Sequence, residues 1–243
     1  MPLYRDDAVV LRTHDLGEAD RIITMLTRRR GRVAAVAKGV RRTLSRFGAR
    51  LEPFSVVQIQ CFEGRTLDTV TQAESVAMLG AAIADDYTRY TAGTVILEAA
   101  ERLSAETPNP GLYQLTLGAL RSLARREHPP LAVADAYLLR ALAQAGWAPS
   151  LGACARSGEP GPHHLFSASA GGMVAEAYAP AGSMPVDHRT LEVLAGLLSA
   201  TWNLVEGDDE ASIAARDNAH EIVSGYTQYH LERRVRSLRH LER

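Results

Sequence analysis

The sequence predicts an α+β protein, a small closed β-barrel followed by an all-helical domain, and three observations carry that expectation. Five short segments of strand character fall within the first 80 residues, and helical spacing of apolar residues takes over from about residue 82. Charge divides at the same place: residues 1–80 hold 13 basic and 9 acidic side chains, and residues 81–243 hold 14 and 19, in a chain of formal net charge −1. A length of 243 residues at 46% apolar content suffices for one large domain or two small ones.

The strands come first. Segments 8–12 and 22–27 flank the loop HDLGEAD, and 32–38 forms a third strand that ends at Gly39. Segment 54–62 alternates, with Val57, Ile59 and Cys61 on one face and Gln58 and Gln60 on the other, so Cys61 is expected to be a core thiol. Gly64 turns the chain into a fifth strand over 67–72. Five short strands in so few residues suit a closed barrel better than an open sheet with long edges.

Helices follow. Ile83, Tyr87, Tyr90, Thr94 and Leu97 place one helix over about 82–104, broken by ETPNPG. Leu112, Leu115, Ala119, Leu120 and Leu123 define a second, which ends before HPP. Leu131, Ala134, Tyr137, Leu138 and Leu142 define a third, stopped by Gly146 and Pro149. Residues 150–185 are rich in Gly, Pro, Ser and Ala without a period, and form an irregular excursion. Helices resume over 187–205 and from about 208 to 241. The acids Asp208, Asp209 and Glu210 read as a helix N-terminal cap in preference to a metal cluster.

Between Arg21 and Arg50 lie ten basic residues and no acid. Such a run repels itself unless solvent or a polyanion faces it, so a solvated charged face and a nucleic-acid backbone are the two readings. Lys38 is the only lysine, and arginine forks onto phosphate oxygens bidentately, although arginine bias can equally reflect a GC-rich genome. Ile22, Ile23, Met25, Leu26, Val33 and Val36 interleave with the charges, which builds the run into folded strands. Arg28, Arg29, Arg30, Arg32, Lys38, Arg41, Arg42 and Arg46 form the pool of candidate DNA contacts.

Signatures of catalysis are missing. No phosphate loop, nucleophile elbow or H-E-x-x-H motif is present, and His220, His230 and His240 fall on different faces of one helix. The reading is therefore a protein that is not an enzyme and uses no cofactor. The opening MPLYRDDAVV lacks a signal-peptide layout, no apolar run reaches membrane-spanning length, and Cys61 and Cys154 do not suggest a disulfide framework. A cytoplasmic protein without a membrane partner is expected.

Four blocks carry a family resemblance: GEADRIITMLT, VAKGVRR, RFGARLEPF and TLDTVTQAE, in this order and spacing. They resemble the N-terminal domain of the RecO family of recombination mediators, and AYLLRALAQAGWAP and YHLERRVRSL extend the resemblance over essentially the whole chain. It implies an OB-fold over 1–79 and a helical domain over 80–243. It also implies a nucleoid-associated function in DNA repair and recombination: binding of single- and double-stranded DNA, strand annealing, contacts with RecR and with the single-strand-binding protein SSB, and help in loading RecA. Family members with a zinc knuckle carry two C-x-x-C pairs separated by a Gly-Gly turn. Here those positions fall on Cys154, Ser157, Ala175 and Tyr178, so the loop at 150–185 is a degenerate knuckle with no metal expected, held by Leu165, Phe166, Met173, Val174 and Tyr178.

The resemblance implies that arginines neutralise phosphates while two complementary strands are brought together. Tyr4, Phe47, Phe54 and Phe62 are the only aromatics in the first 80 residues, so binding should be mostly electrostatic and nearly blind to sequence. Tyr226, Tyr229, Arg233, Arg234, Arg236 and Arg239 of the last helix are candidates to seat the acidic, apolar-tipped tail of SSB. The competing reading makes the apolar members core and the arginines complements to the helix C-terminus. Two rival functions remain: an OB-fold regulator that prefers particular sequences, and an interaction scaffold without annealing activity.

Overall fold

The computed structural model describes residues 2–45 and 47–231. Five strands close a barrel: β1 (Leu3–Leu16), β2 (Asp20–Thr27), β3 (Gly31–Ala37), β4 (Ser55–Phe62) and β5 (Asp68–Met78), in the order β1-β2-β3-β5-β4. β1 closes the barrel by pairing antiparallel with β2 through its second half and with β4 through its first. Among the described residues, the only parallel contact within the barrel joins β3 to β5, at Ala35↔Asp68 and Val36↔Thr69. This closed five-stranded barrel, followed by helices, is an OB-fold and makes the chain α+β.

Alternation sets the inside. Ala8, Val10, Ile23, Met25, Val57, Ile59 and Cys61 point inward and are buried, and Phe47 and Leu51 from a short 3₁₀ turn (Gly48–Leu51) join the same core. Cys61 is thus the core thiol that its position in the alternating strand predicts. The outside of β2 is buried too, at Thr24 and Leu26, because α2 (Tyr87–Leu103) packs against β1 and β2. α3 (Pro110–Arg125) also rests on β1.

Two strands exceed their sequence-derived limits. β1 begins five residues before the expected 8–12 segment, because the polar Asp6 is buried there, accepting N–H bonds from Arg29 and Asp7. β5 continues past 72 through the exposed Glu74, Ser75 and Val76. The helix expected over 82–104 is two helices, α1 (Gly80–Ala84) and α2. Asp86 separates them because its carboxylate accepts the Arg89 N–H and so starts a new N-terminus.

One compact unit spans Met1–Glu127 and the other His128–Arg243. In the second, α4 (Pro130–Gln144), α5 (His188–Ser199) and α6 (Glu210–His230) pack on one another. Asp209 caps α6 through the Ser212 N–H, 3.0 Å away, so the acidic triplet does serve as a cap. The buried Asp135 of α4 meets the imidazole of His220 on α6 at 3.0 Å; burial pushes the carboxyl pKa up and His220 opposes that shift. The excursion is more ordered than its composition predicts. It contains a three-stranded sheet, β7-β6-β8, from β6 (Leu165–Ser167), β7 (Gly172–Val174) and β8 (Met184–Pro185), whose strands are too short to show a period. No helix among the described residues is long and apolar enough to cross a membrane.

Candidate nucleic-acid interface

The ten basic residues are acid-free in sequence but not in space. The barrel returns acids from other segments to face them. Arg21 bonds Asp15 at 3.0 Å and Glu52 at 2.6 Å; Arg30 bonds Glu63 at 3.3 Å; Arg41 meets Asp15 at 3.3 Å; Arg28 lies 3.8 Å from Asp7. Arg32 is spent on structure: its guanidinium donates to the Glu101 carbonyl at 3.1 Å, and its backbone N–H to the Ala105 carbonyl at 2.7 Å. Among the described residues, the side chains of Arg29, Lys38 and Arg42 make no such bond, and all three are exposed. Arg46 lies outside the described residues.

Position divides the pool as well. Arg28, Arg29 and Arg30 form the β2–β3 turn, whereas Lys38, Arg41 and Arg42 follow β3 at the opposite end of the same ladder. From Thr27↔Gly31 to Arg21↔Ala37 is six residue steps, roughly 20 Å of strand. The run therefore makes two basic ends and no single continuous patch. Between them the outer face of β2 is occluded, as Thr24 and Leu26 are buried.

The two ends differ in fixation. At the Arg28–Arg30 turn, Asp6 accepts the Arg29 N–H, and the Arg30 guanidinium lies 4.0 Å from the centre of the Tyr4 ring. The Tyr4 hydroxyl donates to Asp68, and burial, followed by that bond, raises its pKa. Tyr4 is thereby unavailable as a base-stacking platform. Phe47 and Phe54 are buried, which leaves Phe62, 41% exposed, as the solvent-facing aromatic of the four. At the other end, Asp20 accepts the Gly39 N–H at 2.7 Å and the Ala19 carbonyl accepts the Arg41 N–H at 3.0 Å. These bonds tie the segment after β3 to the β1–β2 hairpin and hold Lys38 and Arg42 out to solvent.

Exposed ion pairs of this kind contribute about 0–1 kcal/mol each, so phosphates can displace Asp7 or Asp15 at small cost. The unpaired Arg29, Lys38 and Arg42 need no such exchange. Two features of this surface escape a reading of charge alone. Arg65, in the β4–β5 turn, adds an exposed cation, and Leu44 stands almost fully exposed beside Arg42. The signal for Leu44 was an apolar residue set between Thr43 and Ser45 in a basic segment.

The candidate partner surface of the last helix changes more. Tyr226 is a core residue, 1% exposed, edge-on to Phe166 and donating its hydroxyl to the Trp147 carbonyl at 3.3 Å. It cannot meet a peptide from solvent. Tyr229 is 53% exposed, and Arg233, Arg234, Arg236 and Arg239 lie outside the described residues.

The knuckle positions do not suit zinc. Cys154 supplies one thiol, Ser157 a hydroxyl, and Ala175 no donor, while Tyr178 is exposed at the surface. The Cys154 sulfur instead accepts N–H bonds from Ser157 and Ala175, both at 3.4 Å. Among the described residues no three His, Cys, Asp or Glu side chains gather in a way that could hold a metal ion. Phe166, Met173 and Val174 are buried and hold the loop by packing; Leu165 is half-buried and Tyr178 is 49% exposed.

Comparison with known proteins matches two family models. Residues 1–79 match the model described as recombination protein O N terminal, and residues 84–239 match recombination protein O C terminal. Among curated relatives, the chain is 50% identical over 245 residues to a protein of Thermobifida fusca named DNA repair protein RecO, covering 100% of both chains. Proteins of the same name from a Nocardioides species and from Streptomyces coelicolor are 50% and 49% identical, covering 99% and 100% of this chain and 100% of each relative.

Proposed function

The chain belongs to the recombination protein O family, whose relatives are named as DNA repair proteins, and from that premise we propose that it is a recombination mediator acting through its barrel on DNA. The barrel, over residues 1–79, binds single- and double-stranded DNA and anneals complementary strands. Residues 80–243 form the partner-binding part. With RecR, the protein helps RecA assemble on single strands coated by SSB, and the acidic tail of SSB docks on the helical part, where Tyr229 is exposed. Its place is the cytoplasm, at the nucleoid. The mechanism has no covalent step.

The observation that carries this reading is the set of exposed cations that form no side-chain bond among the described residues, Arg29, Lys38 and Arg42. Phosphates on two strands bound at once repel each other, and cations between them lower that repulsion, which is the physical work of annealing. Within residues 1–79 Phe62 is the one aromatic of four that is exposed, and with few stacking platforms on the barrel the interaction is indifferent to base identity.

Annealing of two complementary oligonucleotides, followed by energy transfer between end labels, tests the proposal. The protein should accelerate pairing, and Lys38→Glu with Arg42→Glu should slow it about tenfold or more, since two charges reverse. Marked preference among oligonucleotides of equal length would favour a sequence-reading regulator. Absence of any DNA binding would favour a protein scaffold and overturn the proposal.

A further inference from the structure

Leu44 is 97% exposed, the highest exposure among the large apolar residues described. A single exposed leucine is ordinary; the way this one is held is not. The chain leaves the core at Val40 and returns to it at Phe47, both buried. Between these anchors it makes two successive turns, closed by the Arg42 N–H on the Gly39 carbonyl at 3.2 Å and the Ser45 N–H on the Arg42 carbonyl at 2.9 Å. Thr43 and Leu44 are the central pair of the second turn, and both are exposed. Leu44 is thereby raised on a short loop between two core anchors, two residues after Arg42, an exposed cation whose side chain makes no bond among the described residues.

Cations at the root and an alkyl group at the tip match the two chemistries of a nucleic-acid strand. Phosphates lie on the outside of a strand, and the apolar faces of its bases lie behind them. A leucine at the apex of a basic loop reaches past phosphates held by the cations and enters between two adjacent bases, as apolar wedges do in proteins that kink DNA. The loop itself carries no Asp or Glu; the acids at its foot are engaged, Asp15 with Arg41 and Asp20 with the Gly39 N–H. We propose that Leu44 is a wedge that parts adjacent bases of a bound single strand, leaving their pairing edges open to a complementary strand. The proposal rests on the DNA-binding reading above and adds to it a residue that acts on base stacking instead of charge.

The test uses the full chain and a single strand carrying 2-aminopurine, whose fluorescence rises when its neighbours unstack. Wild-type protein should raise the signal. Leu44→Ala should abolish most of the rise and weaken binding about three- to tenfold, as expected for losing a partly buried leucine. The salt dependence of binding should stay as in wild type, because no charge is removed. Leu44→Met should restore the rise. Since Leu44 contacts no core, melting temperature should be equal in all three proteins. An unchanged fluorescence rise in Leu44→Ala, with DNA still bound, would overturn the wedge and leave the DNA-binding reading standing. Loss of protein–protein association in Leu44→Ala with normal DNA unstacking would overturn it too. Failure of the wild-type protein to bind DNA would overturn both.

Discussion

The Cys154 thiol is only 2% exposed, yet its pKa is lowered to about 6. Hydrogen bonding to Ser157 is the largest cause and the Ala175 N–H the next, and together they outweigh the cost of burying the thiolate. Its ordinary value is 9.0, so between about pH 6 and pH 9 the folded chain holds a thiolate where the unfolded chain holds a thiol. The resulting stabilisation is fully present above pH 9 and is lost as pH falls through about 6. Comparing Cys154→Ala with wild type by denaturant unfolding should show a stability gap that widens as pH rises across this window. A gap independent of pH would mean that the sulfur contributes packing alone. Hydrogen bonds from Ser157 and the Ala175 N–H satisfy the buried Cys154 sulfur within the loop.

At the scale of elements, helix α2 meets the barrel through a missing side chain. A Cβ at Gly93 would lie 2.8 Å from Cε1 of the Phe54 ring and 3.2 Å from Cγ2 of Ile83. Phe54 cannot retreat easily, since its backbone holds a left-handed φ of 67° at the entrance to β4. Gly93→Ala should therefore destabilise the protein by about 1–3 kcal/mol despite a helix-propensity gain of about 1 kcal/mol. Gly118 in α3 has open space at the same position, so Gly118→Ala should stabilise by up to about 1 kcal/mol. Urea midpoints of the two variants should move in opposite directions; movement in the same direction would contradict the packing argument. This contact was invisible in the sequence, where both glycines interrupt helical patterns alike. Strand and helix types were legible because alternation and three-to-four spacing are local. The start of β1 was not, because Leu3–Asp7 join the strand by pairing with the distant β4, and the buried Asp6 carboxylate is satisfied by the Arg29 N–H, 23 positions away. The short strands of the excursion were hidden for the reason that two or three residues carry no period.

For the molecule as a whole, the near-neutral total conceals a basic N-terminal part, and the fold decides how much of that charge is free. Sequence located the basic run but counted every cation alike, because Asp7, Asp15, Glu52 and Glu63 approach it only through barrel closure. The same closure sorts the run into a fixed end at Arg28–Arg30 and a freer end at Lys38–Arg42. In the helical unit, packing on Phe166 buries Tyr226, the outcome that the competing core reading of the last helix allows. The central claim is that the cations unpaired among the described residues, above all Lys38 and Arg42, are the ones that hold DNA. The salt dependence of single-strand affinity, measured for wild type and for Lys38→Gln with Arg42→Gln, tests it most directly. Three or four neutralised phosphates give log K against log salt a slope of roughly −2 to −3, and each lost contact flattens it by about 0.7. The double variant should therefore be flatter by about 1.4, while Arg28→Gln, whose guanidinium already faces Asp7, should change the slope less than either single substitution. A double variant with the wild-type slope would contradict the account and place the DNA on another surface.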